Sequence, residues 1–317
     1  MYKKIIALIT TFLIIISLSA CGNKELNEVG TNTNDVENST SDKISVVVTF
    51  NPLKEFTEAI GKDKVNVKSI TEGGVEPHDF EPKAKDLENI NKGKVFVYNG
   101  LGMEPWADKV VETISNKELV IVDSSKGANL IKGNLEEEHE DEDESHEHGE
   151  YDPHIWLSLK EAKIQANNIK EALIKVDSIN KEYYEKNYKD FALELDNLYN
   201  EYNEKISKLT NKKFVTGHAA FSYLCRDFGL EQNSVEDVFS EGEPSAKKLK
   251  ELVDYGKKNN IKTIFSEENA SPKVSETLAN EIGAKVEKIY SLESKEDNKN
   301  YIQGMRDNLE KIYNSLK

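Results

Sequence analysis

Three histidines of this chain lie in short segments whose neighbours can aim an imidazole at a ligand. His78 directly follows Pro77, and His154 directly follows Pro153, while His218 ends a strand-like run. A proline fixes the backbone before the imidazole, so the ring is oriented at low entropic cost. A lone histidine beside a proline is more often a turn residue than a ligand. If all three meet in one cleft, however, they predict a zinc-type site with three nitrogen ligands.

A second segment with metal-binding composition runs from Glu136 to Glu150, EEEHEDEDESHEHGE, and holds ten carboxylates and three histidines. It has no aromatic or branched aliphatic residue, so it cannot build a core and we expect it to stay solvated. An acidic run is usually only a soluble surface loop, but interleaved histidines are typical of metal binding. We therefore predict a weak auxiliary site formed by His139, His146 and His148.

The start of the chain has the pattern of an export signal. Two lysines precede an apolar run that ends in LSAC at Cys21. The run is short for a membrane span, the alternative interpretation, and small residues before a lone cysteine are typical of cleavage. The pattern resembles the lipobox of bacterial lipoproteins, which implies a signal peptide over residues 1–20 and a lipid on Cys21. Residues 21–42 are polar and are predicted to form a flexible tether.

Charge and cysteine content narrow the class of protein further. The formal net charge is −16, which argues against a nucleic-acid partner and favours a surface that concentrates cations. After removal of the signal and lipidation of Cys21, Cys225 is the single thiol left, so no disulfide can form within the mature chain. Cys225 lies on an apolar helical face and is predicted to be buried packing. About 275 remaining residues suffice for two domains.

The elements that must position the histidines alternate between strand and helix in both halves of the chain. This alternation predicts an α/β fold with a mainly parallel sheet in each half. Ligands collect at the carboxyl ends of such strands, so the three histidines can converge on one crevice. The predicted strands are Ile44–Thr49, Val65–Ile70, Lys94–Tyr98, Leu119–Val122, Lys213–Thr216, Lys262–Phe265 and Lys285–Tyr290.

A long helix is predicted between the halves, from Lys181 to Lys208, with a length of about 42 Å. Apolar residues recur there in steps of three and four from Tyr184 to Leu209, with no Gly or Pro. The spacing allows a coiled-coil dimer. We favour a single rigid strut, because an aromatic-rich stripe suits packing on uneven surfaces, and we expect a monomer. The predicted domains are residues 43–157, 158–210 and 211–317.

The strings EPHDFEP, DPHIW and VTGHAAFSYL, with the LSAC motif and the acidic His-rich segment, resemble the metal-binding lipoproteins of bacterial ABC transporters. Within that family they resemble the zinc-specific branch. The resemblance implies two similar α/β lobes joined by one long helix, with the metal between the lobes. It also implies that His78, His154 and His218 are the imidazole ligands.

The fourth ligand in that family, where present, is a carboxylate after the last strand of the second lobe. Glu293 occupies that place here, and Glu267 and Glu268 are the competing carboxylates. Water is a further alternative, and Glu267 could instead cap a helix starting near Asn269. Three nitrogens and one carboxylate favour zinc over manganese, which prefers more oxygen.

The function that follows is capture of zinc outside the cell and delivery to a membrane permease driven by a cytoplasmic ATPase. We expect the lipid to hold the protein on the outer face of the cytoplasmic membrane of a Gram-positive cell, since the sequence is rich in Lys, Asn and Ile. Alternatives are manganese transport, surface adhesion and a zinc hydrolase. The hydrolase is disfavoured, because the sequence contains no H-E-x-x-H motif and a site closed by Glu293 leaves no position for water. If water is the fourth ligand instead, Glu267 could serve as the general base.

Overall fold

The computed structural model of this chain describes residues 43–71, 73, 75–133, 150–238, 244–268 and 272–317. The residues from Ser41 to Lys317 form one compact unit. The signal peptide, Cys21, the tether and the histidines of the acidic segment lie outside the described residues, so the predictions about them stay predictions. Among the described helices, none combines the length and apolar character that crossing a membrane requires.

The first lobe contains a four-stranded parallel sheet in the order β2-β1-β3-β4. β1 pairs with both β2 and β3, and its residues Val46 and Val48 are fully buried. Branched side chains on a strand covered by helices on both faces give it a near-continuous apolar sequence. The strands are Ile44–Val48, Val65–Ser69, Val95–Tyr98 and Val120–Asp123, and the helices α1 to α4 are Asn51–Gly61, Ala84–Lys92, Ala107–Thr113 and Leu159–Val176.

The second lobe repeats the arrangement, with a parallel sheet in the order β6-β5-β7-β8. Seven strands were predicted at their observed places within one or two residues. The strand β6 was missed, because its sequence EQNS is polar and it forms an edge of the sheet, paired only with β5 among the described strands. The strands are Lys213–Thr216, Glu231–Ser234, Thr263–Ser266 and Lys285–Lys288, and the helices α6 to α9 are Ser222–Phe228, Ala246–Lys258, Pro272–Ile282 and Tyr301–Ser315.

The long helix α5 runs from Lys181 to Ser207, as predicted. Its apolar stripe packs against the interior of the same chain, as the strut requires and as a coiled-coil seam would not. The fully or almost fully buried members of the stripe are Tyr184, Phe191, Leu195, Leu198, Tyr202 and Ile206.

One hydrophobic cluster runs through both lobes and fixes how they meet. Trp156 of the first lobe packs edge-on against Phe50 at 4.8 Å, and its indole N–H donates to the Ser291 carbonyl of the second lobe at 2.8 Å. The hydroxyl of Tyr301 donates to the Trp156 carbonyl. Buried aromatic groups with satisfied polar ends combine apolar burial with fixed geometry. The backbone around residue 156 is therefore held by both lobes.

Candidate metal centre

The three predicted histidines meet in the crevice between the lobes. One ring nitrogen from each of His78, His154 and His218 lies within 4.8 Å of the others. Nε2 of His78 and Nε2 of His154 are 3.3 Å apart, and the ring centroids of His154 and His218 are 4.7 Å apart. Two imidazoles at that separation cannot both be charged without strong repulsion. A cation between the rings would be held by their nitrogen lone pairs.

Each histidine reaches the crevice from a different kind of local structure. His78 lies in the loop after β2, and His218 comes two residues after β5, both at carboxyl ends of parallel strands. His154 precedes the short 3₁₀ helix Ile155–Leu157 that leads into α4, whose N-terminus is capped by Ser158. The expected convergence at strand ends is therefore found for two of the three rings, and a helix approach delivers the third.

Asp152 orients His154. Its Oδ1 accepts from the backbone N–H of His154 at 2.9 Å and lies 2.8 Å from Nδ1 of the ring. Both residues are almost fully buried, at 1 % and 0 % exposure. A carboxylate on Nδ1 places the proton there and leaves the lone pair on Nε2, the nitrogen that faces His78. This is the usual carboxylate support of a metal-binding histidine.

His218 is held differently. Its Nε2 lies 2.9 Å from the Val238 carbonyl, and Glu267 accepts from the backbone N–H groups of Gly217 and His218 at 3.1 and 3.4 Å. Burial, followed by the neighbouring His154, lowers the pKa of His218 to about 3. Burial likewise raises the pKa of Glu267 to about 8, against the backbone hydrogen bonds that lower it. His218 is thus neutral at physiological pH, as a metal ligand must be.

Among the three candidate carboxylates, Glu293 is the one that faces the cluster. A carboxylate oxygen of Glu293, a ring nitrogen of His78 and a carboxylate oxygen of Glu76 lie within 4.8 Å of one another. Oε2 of Glu293 accepts from Ser291 at 3.0 Å, whereas its buried Oε1 has no hydrogen-bond partner among the described residues. Burial, then Glu76, raises the pKa of Glu293 well above its ordinary range. A bound cation would relieve this cost.

The competing carboxylates have other surroundings. Glu267 is buried beneath His218 and binds its backbone, so it supports a ligand instead of facing the cleft. The alternative that it caps a helix near Asn269 falls on residues 269–271, which lie outside the described residues, and it stays a prediction. Glu268 accepts from the Ser294 hydroxyl at 3.4 Å in an exposed contact. Neither carboxylate belongs to the metal-competent groups of the described residues.

Two residues near the cluster were not singled out from the sequence. Asp152 was quoted only as part of DPHIW, although its place two residues before His154 allows a carboxylate to reach the ring. Glu76 stands two residues before His78, in the same proline-containing loop, and its Oε1 lies 3.4 Å from the His78 backbone N–H. The sequence signal that could have identified Glu76 and Asp152 is an acidic residue two positions before His78 and before His154.

The donor set matches zinc coordination. His78, His154 and His218 bring three ring nitrogens within 4.8 Å of one another, and His78 shares a second group with Glu293. Together the four residues offer the number of ligands that zinc takes in closed sites. If all four bind one ion, no position is open for a reacting water, and such a set suits holding and releasing an ion better than hydrolysis.

Comparisons with known proteins agree with this chemistry. Residues 46–315 match the family model "Zinc-uptake complex component A periplasmic". The high-affinity zinc uptake system protein ZnuA of Bacillus subtilis is 41 % identical over 100 % of this chain and 99 % of its own length. The structure of zinc-bound AdcA from Streptococcus pneumoniae is 35 % identical with a TM-score of 0.74, covering 86 % of this chain and 58 % of that one.

A third relative carries a further activity in its description. The laminin-binding protein Lmb of Streptococcus agalactiae is described as bifunctional, with adhesin and metal-transporting activity. Its structure is 35 % identical to this chain with a TM-score of 0.77, and the match covers 86 % of this chain and 100 % of that one.

Proposed function

This chain belongs to the family of periplasmic A components of zinc-uptake complexes, and from this premise we propose that it captures one zinc ion for import. The ion is held between the lobes by His78, His154, His218 and Glu293, and is delivered to an ABC permease and its ATPase. The observation that carries the proposal is the meeting of three imidazoles, far apart in sequence, within 4.8 Å in one crevice.

Zinc is favoured over manganese by the character of the ligands. Imidazole nitrogen suits zinc, whereas manganese prefers a larger share of carboxylate, carbonyl and water oxygen. The Asp152 carboxylate at Nδ1 of His154 also fixes the tautomer that presents Nε2 to the ion. Copper and nickel also bind nitrogen sites strongly, so affinity has to be compared across metals.

The remaining parts of the chain fit extracytoplasmic capture. A lipid on Cys21 would tether the domain to the outer face of the membrane, and the family description places the component outside the cytoplasm. The acidic segment with His139, His146 and His148 would gather zinc weakly. Its ten carboxylates raise the local concentration of cations by electrostatic attraction.

Metal analysis and competitive titration test the proposal. The purified protein should bind one zinc ion tightly, with weaker additional binding that disappears when residues 136–150 are deleted. His154, outside that deletion, should keep the tight site intact. Loss of tight binding in the deletion variant, or preference for manganese at equal free concentrations, would contradict the assignment of these ligands or of this metal.

Adhesion is a second candidate, favoured by the description of the Lmb relative. Binding to a laminin surface should then persist in a variant carrying both His78→Ala and His154→Ala, because adhesion does not require convergent imidazoles. Absence of saturable laminin binding by the unaltered protein would remove this candidate. Parallel zinc titration of the same variant separates the two activities.

A further inference from the structure

A second group of ligand atoms adjoins the three imidazoles. Glu76, His78 and Glu293 each offer an atom within 4.8 Å of the others, and His78 belongs to both groups. The first group contains nitrogen donors alone, whereas the second contains two carboxylates and one imidazole. Carboxylate oxygens suit cations that keep water among their ligands, whereas imidazole nitrogens suit zinc itself. The two groups therefore differ in the state of the ion that they suit.

The second group is closer to solvent than the first. His154 and His218 are buried at 0 % and 4 % exposure, whereas Glu76 is partly exposed and its neighbour Val75 is 42 % exposed. Glu293 lies between these environments, 4 % exposed, and its Oε1 has no hydrogen-bond partner among the described residues. A buried carboxylate oxygen without a donor is costly, and a cation at this place would satisfy it.

We propose that Glu76, His78 and Glu293 form an outer cation position through which zinc reaches and leaves the three imidazoles. The inference rests on the proposed function and adds a step to it. The outer position first takes the hydrated ion. The ion then exchanges Glu76 and its remaining water for His154 and His218, while His78 and Glu293 stay bound. Zinc keeps its charge throughout, and each ligand lost is replaced by another.

The proposal predicts a distinctive kinetic result for Glu76→Gln. On this route Glu76 still contacts the ion in the transition state for its entry to the imidazoles but not in the final site, so loss of the carboxylate should slow association and dissociation by the same factor. We expect both rates to fall roughly tenfold, with a dissociation constant within about twofold of the unaltered protein. Trp156 provides the signal, because its ring lies 5.1 Å from that of His154. Association is measured by stopped-flow fluorescence, and dissociation by mixing with excess chelator.

Asp79→Asn is the matched control. Asp79 follows His78 directly, is exposed, and carries the same charge, but it is outside the ligand groups of the described residues. We expect it to change neither rate by more than about twofold at 0.15 M salt. A fall in association alone that Asp79→Asn reproduces would show general attraction of cations and would overturn the outer position. Faster dissociation with unchanged association in Glu76→Gln would make Glu76 an ordinary ligand of the tight site. That result would also overturn the outer position.

A second measurement isolates the outer position at equilibrium. In the full chain with His154→Ala and His218→Ala, one weak zinc equivalent beyond those bound by residues 136–150 should remain, and it should disappear when Glu76→Gln is added. Identical weak binding with and without Glu76 would overturn the inference even if the tight site is real. Failure of the proposed function looks different, because the unaltered protein would then bind zinc no more tightly than the double histidine variant.

Discussion

The two lobes share one strand order, yet they support their metal-facing residues by different means. In the first lobe, the Asp152 carboxylate reaches the imidazole ring of His154 directly. In the second lobe, the Glu267 carboxylate binds the backbone at His218, and the ring itself lies against the Val238 carbonyl. The shared topology explains why ligands arrive at the crevice from both sides. The supporting carboxylates, Asp152 and Glu267, determine how strongly the orientation of each imidazole ring is fixed.

The difference has a chemical consequence for the bound ion. The Asp152 carboxylate at Nδ1 makes Nε2 of His154 a stronger ligand for a metal ion. When Nε2 of His218 donates its proton to the Val238 carbonyl, an ion that takes this nitrogen must displace that proton and break the hydrogen bond. We therefore expect the His154 ring of the first lobe to keep its position when zinc binds. The His218 ring of the second lobe should change its hydrogen bonding.

The largest expected effect comes from removing one imidazole from either lobe. Tight zinc sites are worth about 10–16 kcal/mol, so each of four ligands contributes on the order of 3 kcal/mol. His154→Ala and His218→Ala should each weaken zinc binding at least about 100-fold. Competitive titration with a chromophoric chelator measures the loss, and circular dichroism checks folding. A folded variant with unaltered affinity would exclude that lobe from the site.

The next effect distinguishes the two supporting carboxylates. Asp152→Asn should weaken zinc binding about 10- to 100-fold, because the ring loses its charged partner. Glu267→Gln should cost less, since the amide oxygen of Gln still accepts from the backbone N–H groups of Gly217 and His218. Both variants are titrated under the same conditions. Equal losses would mean that the two supports act alike, and the proposed difference between the lobes would be wrong.

A pH experiment tests a buried carboxylate that lies away from the ligands. Burial raises the pKa of Glu104 from its ordinary 4.5 to about 7, although Thr49, Asn99 and Gly100 donate to it. Because the folded pKa exceeds the unfolded one, its stabilising contribution is complete below pH 4.5 and declines as the pH rises through 7.

In the zinc-free protein, Glu104→Gln should therefore reduce the fall in the free energy of unfolding between pH 4.5 and about 7. The slope removed is roughly 1 kcal/mol per pH unit at its steepest. Denaturant unfolding at half-unit intervals from pH 4.5 to 8 provides the measurement. The matched second-lobe variant Glu267→Gln should extend the flattened region toward pH 8, since burial raises the pKa of Glu267 to about 8. An unchanged slope in Glu104→Gln would show that Glu104 titrates normally.

The smallest expected effect concerns the loop that carries Glu293. Leu292 has a left-handed backbone with φ of 63° and packs on Gly304, where a methyl group would overlap its Cδ2. Gly304→Ala should displace Leu292, cost about 1–3 kcal/mol of stability and weaken zinc binding a few-fold.

Gly256→Ala is the control for this substitution. A methyl group on Gly256 would press on Ile282 in the separate apolar cluster of the same lobe. It should lower stability without changing zinc affinity, which isolates the effect on Glu293. Equal zinc affinities in both variants would show that the position of Glu293 does not depend on Leu292.

Much of the fold was predictable from sequence because periodic apolar patterns are local. The α5 stripe and seven of the eight described strands follow from spacing and branched residues. Strand β6 was not predictable from sequence, since the polar edge sequence EQNS becomes a strand only by pairing with β5. Glu267 was placed correctly after β7, but its role as a backbone acceptor depends on a residue some fifty positions earlier.

The sequence by itself determined the chemical inventory: three histidines in constrained turns, candidate carboxylates, and an alternation that puts loop residues at one sheet edge. Tertiary structure alone decided which carboxylate faces the imidazoles, that Asp152 supports His154, and that Glu76 extends the site toward solvent. The physical reason is the sequence separation over which the two kinds of interaction act. Backbone preferences act over a few residues, whereas burial, pKa and ligand geometry arise from groups that folding brings together across more than two hundred positions, as with His78 and Glu293.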